Sequence, residues 1–273
     1  MFQQLTDFLD VTDCLSKHQF GFRTKHSVIH PLSLFSERVF SALNKGKHLI
    51  TVFIDLKKAF DTVSFDILCS KLSNYGVSDI SLLWFKNYLI RYQYVSAGVS
   101  AGASAGVSAG ESAGVSAGVS AGVSAGVSAG VSAGVSAGGH VNSDLLKMLC
   151  GIPQGSILGG LLFLIFINDL PNASELFSLL FADDCTFQLE GDDLPSLIYN
   201  FNIELDKAQE WFASNRLTLN IKKTKYVIFS TSDVNKKTLP ELKIGSSSIE
   251  HKVRDTKIGR LINPRESPFN AQI

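Results

Sequence analysis

The stretch Leu179-Leu180-Phe181-Ala182-Asp183-Asp184-Cys185 places two adjacent carboxylates directly after a largely apolar run. An alternating apolar pattern then resumes at Cys185, Phe187 and Leu189. Apolar segments on both sides of a short polar step are typical of two strands joined by a tight turn. The stretch therefore predicts a β-hairpin with Asp183 and Asp184 at its tip.

The adjacent acids of this hairpin suit a divalent cation. Two anions held side by side repel each other, so a rigid turn that presents them usually has a positive charge nearby. Mg²⁺ prefers carboxylate oxygen, typically takes one or two carboxylates, and leaves its other positions to water and phosphate. Asp is also an ordinary turn residue, so the pair by itself leaves both interpretations open.

A third acid follows a predicted strand earlier in the chain. Residues 49–56 are rich in β-branched and apolar side chains, and they place Asp55 near the carboxyl end of the strand. An acid that closes an otherwise apolar strand indicates a functional role. Turn chemistry at a strand end stays the alternative until a partner for Asp55 is found.

The composition indicates a globular chain with an uneven charge distribution. The 273 residues suffice for one large domain or two small ones, and 45% hydrophobic residues supply a sizeable core. The formal net charge is zero, yet residues 215–260 hold eleven Lys and Arg against four Asp and Glu. A basic segment beside an acidic centre suits a polyanion held next to a metal site, although a solvated surface has the same composition.

The sequence argues against several classes of protein. The 4 cysteines show no CxxC or Cys/His spacing, so we expect reduced core thiols. The first residues contain neither a basic nor an apolar leader region, which argues against secretion. Residues 157–167 are strongly apolar but too short to cross a bilayer, and they predict a buried core helix. We therefore expect an intracellular protein with no membrane partner.

Helices and short strands account for most of the remaining chain. The predicted helices are one from Pro31 to near Gly46, one capped by Ser64, one that buries Ile80, Leu83, Trp84 and Tyr88, and one of about five turns over residues 194–212. Two short strands are expected at residues 217–219 and 226–229. Strands and helices follow one another without a clean βαβ repeat, so the predicted fold class is α+β.

A low-complexity tract interrupts this pattern at residues 96–139. It contains eleven consecutive Ser-Ala-Gly units, and the fourth position is Val in eight of them. One modest apolar side chain in four residues buries too little surface to offset backbone ordering. We expect a disordered or loosely extended loop that lengthens a hairpin turn, and not a boundary between domains.

With these pieces in order, the chain resembles the reverse transcriptase domain of non-LTR (LINE-type, jockey-like) retrotransposons. The motifs that carry the resemblance are Gln19-Phe20-Gly21-Phe22-Arg23, Phe53-Ile54-Asp55-Leu56-Lys57-Lys58-Ala59-Phe60-Asp61, Gly151-Ile152-Pro153-Gln154-Gly155-Ser156-Ile157-Leu158-Gly159, Phe181-Ala182-Asp183-Asp184, and Leu217-Thr218-Leu219-Asn220 with Lys223-Thr224-Lys225. Each motif alone is modest. Their joint order is specific and covers almost the whole chain outside the repeat.

The resemblance implies a right-hand polymerase fold. Its palm is an antiparallel sheet backed by helices, here with partial fingers and little or no thumb. Residues 1–95 would supply part of the fingers and the first palm strand, and residues 140–260 the rest of the palm. The repeat at residues 96–139 would be a loop, and residues 261–273 a divergent tail.

The resemblance also assigns the acids. Asp55 and Asp183 match the ligands of two Mg²⁺ ions, with Mn²⁺ as an alternative, and Asp184 is the adjacent acid of the hairpin motif. In two-metal phosphoryl transfer, one ion activates the primer 3′-hydroxyl and the other holds the triphosphate and stabilises the leaving oxygens. The implied activity is RNA-directed DNA synthesis, with an RNA template, a DNA primer and dNTPs as partners.

Other roles follow from the same resemblance. Phe60 matches the bulky gate that excludes a ribose 2′-hydroxyl, and an ordinary core aromatic is the alternative. Gln154 and Gly155 match the loop that packs against the incoming nucleotide and template. Lys223 matches a lysine near the triphosphate, unless it belongs to a solvated charge cluster, and Arg23 is assigned to template or nucleotide phosphate.

The chain also departs from the family pattern. A fingers segment that precedes the first motif in the family does not match, Gly160 stands where proline is common, and residues 264–273 do not resemble a thumb. A truncated, inactive remnant of a retroelement, which at most binds nucleic acid, is therefore the alternative hypothesis.

Overall fold

A computed structural model describes residues 1–23, 26–93, 96–98, 140–142, 146–153, 155–231 and 239–251. The helices are α1 (Phe2–Val11), α2 (Ile29–Asn44), α3 (Phe65–Asn74), α4 (Asp79–Leu89), α5 (Ile157–Ile167) and α6 (Leu194–Ser214), with a 3₁₀ turn at Leu170–Asn172. The strands are β1 (His48–Ile54), β2 (Tyr92–Gln93), β3 (Ser96–Gly98), β4 (His140–Asn142), β5 (Leu146–Lys147), β6 (Phe177–Phe181), β7 (Asp184–Gly191), β8 (Lys225–Phe229), β9 (Lys243–Ile244), β10 (Ser247–Ser248) and β11 (Glu250–His251).

A five-stranded sheet with the order β11-β8-β1-β7-β6 forms the centre of the fold. Strand β1 lies in the middle and pairs antiparallel with both β7 and β8. Strand β6 pairs antiparallel with β7, whereas β11 runs parallel to β8. The predicted α+β class, with a sheet dominated by antiparallel pairs, is therefore confirmed.

Both faces of the sheet are covered, which explains why β1 is nearly continuous in apolar residues. On one face, Phe35 and Val39 of α2 pack with Leu49 and Leu179. On the other face, alternate β1 residues join the main core with α5 and α6. A two-residue side-chain period thus divides β1 between two apolar clusters.

Helix α5 is the most deeply buried element, as its sequence predicts. Its residues from Leu161 to Ile167 are at most 5% exposed, and only the N-terminal Ile157 points to solvent. A helix that is apolar on all sides needs neighbours on all sides. No helix in the described part of the chain is long and apolar enough to cross a membrane.

The predicted buried face of α4 is wrong. Ile80 is 84% exposed and Leu83 is 56% exposed, whereas Phe85 and Leu89 are buried. Apolar residues occupy more than one side of this helix, so the period alone does not choose between faces. Packing against α3 makes the choice, and the half-buried Tyr88 stacks on Trp84 at the margin of that contact.

Smaller differences concern element ends. Ser64 occupies the N-cap position of α3, but its side chain makes no capping hydrogen bond. Residues 217–219 contribute only one isolated bridge, between Leu219 and Leu56, and do not form the predicted strand. Helix α6 spans 21 residues and buries the seven apolar positions that its spacing predicts.

Two short strand pairs bring the flanks of the repeat side by side. Strand β2 pairs with β5, and β3 pairs with β4, both antiparallel. The expectation of a disordered or loosely extended loop covers residues 96–139; residues 96–98 of this range form β3 instead, and residues 99–139 lie outside the described residues. The division of the chain into four parts stays a prediction.

Candidate active site

The two adjacent acids lie where the sequence predicts them, at the tip of the β6–β7 hairpin. Phe181 pairs with Asp184, so Ala182 and Asp183 form a two-residue turn. Ala182 has a φ of 57°, the left-handed value that glycine adopts most easily at the first position of a type II′ turn. The left-handed conformation costs an L-residue about 1–2 kcal/mol, so contacts from neighbouring residues must stabilise this turn.

Strand β1 delivers Asp55 to the same place. The register pairs Ile54 with Cys185. Asp55 follows Ile54 and Asp184 precedes Cys185, so the two acids lie at the same end of two neighbouring antiparallel strands. Thr51 pairs with Gln188 on this ladder. Since Asp55 and Asp184 are each four residues away from that pair, all four side chains belong to the same face of the sheet.

The electrostatics of the tip reflect this grouping. Burial is the largest of three causes that together raise the pKa of the Asp184 carboxyl to about 7, and the other two are the negative charges of Asp183 and Asp55. Like charges shift a pKa in this way only when they lie close together. Asp55 and Asp183 therefore lie near enough to Asp184 to interact with its carboxyl electrostatically.

Asn220 holds Asp55 in position, and sequence reasoning missed this role. Its side-chain Nδ2 donates to Asp55 Oδ2 at 2.8 Å, and its backbone N donates to Asp55 O at 2.8 Å. Thr224 Oγ1 accepts a hydrogen bond from Asp55 N at 3.4 Å and donates to Asn220 O at 3.0 Å. The 220–224 turn thus fixes both the backbone and the carboxylate of Asp55.

The acids fit a divalent cation that is bound largely by carboxylate, water and phosphate. In the described segments, no group of three or more His, Cys, Asp or Glu residues is arranged to hold a metal ion by itself. Mg²⁺ needs only one or two carboxylates. No Lys or Arg of those segments forms an ion pair with Asp55 or Asp184.

Phe60 lies at the margin of the core. Its ring stacks on Phe163 with centroids 4.5 Å apart, and Phe22 meets it edge-on at 6.2 Å. Phe60 is half-buried, whereas Phe163 is fully buried. The ring is therefore packed against aromatic neighbours and still partly exposed, which is compatible with a gate and with a core role.

The other predicted site residues are distributed as follows. Gln154 lies outside the described residues. Gly155 is exposed, with a φ of 75° and open space where a Cβ would be. Arg23 Nη1 donates to the backbone oxygens of Ser16 and Gln19, so its guanidinium faces its own loop in part.

Lys223 is exposed and lies on the turn that fixes Asp55. Its backbone N donates to Asn220 O at 3.0 Å. The structure thus brings Asp55, Asp183 and Asp184 together and places Lys223 on a neighbouring turn.

Sequence comparisons identify the family of the chain. The model of the family described as "Reverse transcriptase (RNA-dependent DNA polymerase)" matches residues 1–129 and 131–255. The chain is 26% identical over 176 residues to a probable RNA-directed DNA polymerase from transposon BS of Drosophila melanogaster, covering 62% of this chain and 14% of that protein. It is 22% identical over 254 residues to an RNA-directed DNA polymerase from mobile element jockey of Drosophila funebris, covering 89% of this chain and 22% of that protein.

A second jockey polymerase, from Drosophila melanogaster, is 21% identical over 234 residues and covers 81% of this chain. The chain spans 14 to 22% of the length of these curated relatives. Among solved structures, it is similar to telomerase from Candida albicans with a fragment of telomeric RNA, at 15% identity and a TM-score of 0.41, covering 88% of this chain and 35% of that chain. Apo telomerase from Candida tropicalis gives 12% identity and a TM-score of 0.44, covering 86% and 40%.

Proposed function

Because the chain belongs to the family of reverse transcriptases (RNA-dependent DNA polymerases), we propose that it carries the catalytic palm of an RNA-directed DNA polymerase of a non-LTR retrotransposon. Its substrates are dNTPs, a DNA primer and an RNA template. The names of the curated relatives support this activity. In this proposal, residues 1–95 contribute part of the fingers and the first palm strand, and residues 140–260 contribute the rest of the palm.

One observation carries the proposal: the β1–β7 register joins Asp55 to the acids of the hairpin tip. The acids are 128 and 129 positions apart in sequence, yet Asp55 and Asp183 both raise the pKa of Asp184. A fold that only needed turn residues would gain nothing by grouping three like charges on neighbouring strands. A cation-assisted reaction on a polyanionic substrate accounts for the grouping.

In the metal-dependent reaction, Asp55 and Asp183 would hold the two ions. When bound, Mg²⁺ supplies the charge that activates the primer 3′-hydroxyl and neutralises the triphosphate. The chain itself orients the ligands: the side-chain N–H of Asn220 fixes one oxygen of Asp55, and the β6–β7 turn presents Asp183. Asp184 follows Asp183 directly, and a bound cation would favour the charged form of its carboxyl.

The surrounding residues have separate roles in this proposal. Phe60 would exclude ribonucleotides, because a 2′-hydroxyl would clash with its ring. Gln154 and Gly155 would pack against the incoming nucleotide and template. Lys223 and Arg23 would contact phosphates, Lys223 from the turn next to Asp55 and Arg23 from the loop that follows α1.

Primer extension on poly(rA)/oligo(dT) with dTTP tests the proposed function. We expect extension that requires Mg²⁺ or Mn²⁺ and falls on the order of 100-fold or more in Asp55→Asn. Loss of residues that merely support a metal ligand already costs about 10- to 100-fold, so loss of a ligand should cost at least as much.

Asp206→Asn is the matched control, because Asp206 is an exposed acid on α6 away from the tip. It should extend primers at the rate of the unmodified chain. A folded chain that binds primer–template but adds no nucleotide would reject the polymerase assignment in favour of an inactive remnant that only binds nucleic acid.

A further inference from the structure

Gln19 is a polar residue buried without any exposed surface, next to the hairpin tip. Its Oε1 accepts hydrogen bonds from Gly21 N at 2.8 Å and from Ala182 N at 3.2 Å. Its Nε2 lies 3.5 Å from Ala182 O, at the long end of hydrogen-bond distance. Since two backbone N–H groups point at one atom, that atom must be the oxygen, which fixes the orientation of the carboxamide.

The carboxamide therefore contacts both polar backbone groups of Ala182. Ala182 is the residue with a φ of 57° in the turn, and its carbonyl belongs to the same peptide plane as the N–H of Asp183. Rotation of this plane changes the direction in which Asp183 leaves the turn. Contacts on both sides of Ala182 restrain that rotation.

Two backbone hydrogen bonds fix Gln19 in register with the tip. Leu180 N donates to His18 O at 2.8 Å, and Phe20 N donates to Leu180 O at 2.9 Å. Residues 18–20 thus extend the sheet beyond β6 by one parallel bridge. Gly21 then passes so close that a Cβ on it would lie 2.2 Å from Ala182 N, a distance that only glycine permits.

We propose that Gln19 is a positioning residue, which holds the Ala182 peptide in its left-handed conformation and thereby sets the direction of the Asp183 carboxylate toward the metal ions. This inference rests on the proposed function, since it gives Asp183 the role of a ligand. Gln19 itself acts only through Ala182. Polar partners behind a metal ligand typically change metal affinity by about 10- to 100-fold.

Gln19→Met tests the inference, because methionine has a similar volume and no hydrogen-bonding carboxamide. The matched control is Gln188→Met: Gln188 is equally buried in the same sheet and bonds Thr51, but lies four residues along β7 from Asp184. Both variants should lose some stability. Only Gln19→Met should lose protection of the Ala182 amide against hydrogen exchange.

Metal binding then separates positioning from general destabilisation. Electron paramagnetic resonance of added Mn²⁺ should give a dissociation constant about 10-fold or more higher in Gln19→Met, and one close to that of the unmodified chain in Gln188→Met. In primer extension, the deficit of Gln19→Met should shrink as the Mn²⁺ concentration rises, because excess metal compensates for weak binding.

The outcomes distinguish this inference from the proposed function. If the unmodified chain binds Mn²⁺ and extends primers while Gln19→Met binds Mn²⁺ as tightly, the positioning role is wrong and the polymerase assignment stands. Equal losses of Mn²⁺ affinity in both methionine variants would also overturn it. If the unmodified chain neither binds Mn²⁺ nor extends primers, the proposed function fails first.

Discussion

At the scale of single residues, the protonation of Asp184 depends on the other charges at the tip of the hairpin. Asp184 is mostly buried, and its pKa rises to about 7 because burial and two neighbouring carboxylates disfavour its charged form. A bound cation carries the opposite charge and therefore lowers the pKa of a neighbouring carboxyl. In the proposed function, a bound cation would therefore favour the charged form of Asp184.

Phe60 allows a test of nucleotide selection. Phe60→Val should raise incorporation of ribonucleotides relative to deoxynucleotides by about 10-fold or more, because the smaller side chain leaves space for a 2′-hydroxyl. Competition between rUTP and dTTP in single-nucleotide primer extension measures this ratio. Phe40→Val, which changes an exposed ring on α2, serves as the control, and an unchanged ratio in Phe60→Val would make Phe60 a core residue only.

Sequence reasoning at this scale found the acids but not their partners. Asp55, Asp183 and Asp184 belong to ordered motifs, and the chemistry of carboxylates suggests a use for them. Asn220 ends the motif Leu217-Thr218-Leu219-Asn220, yet its bond to Asp55 joins positions 165 apart. Nothing local in the sequence indicates such a pair, because it arises only when the 220–224 turn packs beside the end of β1.

At the scale of elements, the hairpin depends on a close approach of backbone to backbone. Gly21→Ala should lower the free energy of unfolding by about 1–3 kcal/mol, because its Cβ would collide with the backbone of Ala182. Gly160→Ala is the contrasting change. Its Cβ would meet the ring of Phe22 at 2.8 Å, but that residue is 56% exposed, so a shift of its side chain costs less than a shift of backbone.

Alanine also favours the helical conformation of α5 over glycine by about 1 kcal/mol, so Gly160→Ala should be nearly neutral. Denaturant unfolding of both variants measures the difference. If Gly21→Ala unfolds no more easily than Gly160→Ala, the segment at residues 18–21 is not held against the hairpin as described.

Elements differ in how far their sequence determines them. The seven buried positions of α6 and the burial of α5 follow from periodicity and hydrophobicity alone. The orientation of α4 does not, because Ile80, Leu83 and Phe85 offer more than one apolar face. The tertiary contact with α3 determines which face is buried. The periodicity of apolar residues within α4 does not predict such a contact.

At the scale of the whole molecule, the repeat lengthens one connection between paired strands. Deleting residues 98–137 leaves three residues between Ala97 and Val141, a paired position in the present register, and three-residue loops close antiparallel strands well. We expect the deletion variant to fold and to unfold at a modestly higher temperature. Loop closure entropy grows only with the logarithm of length, so the gain is on the order of 1–3 kcal/mol.

Thermal unfolding followed by circular dichroism measures this change. A deletion variant that no longer folds would show that residues 98–137 contribute packed structure.

The order of the motifs in sequence predicted a central sheet, but it did not predict that β11 would add to β8 in parallel, because β11 contains only two residues.

The proposed metal site shared by Asp55 and Asp183 is tested most directly by binding of Mn²⁺ to purified protein, followed by electron paramagnetic resonance. We predict that the unmodified chain and Asp206→Asn bind Mn²⁺ alike. We also predict that Asp55→Asn and Asp183→Asn each weaken the same binding by about 10-fold or more, because both carboxylates serve one site. Binding of Mn²⁺ that either single variant leaves unchanged would contradict the account.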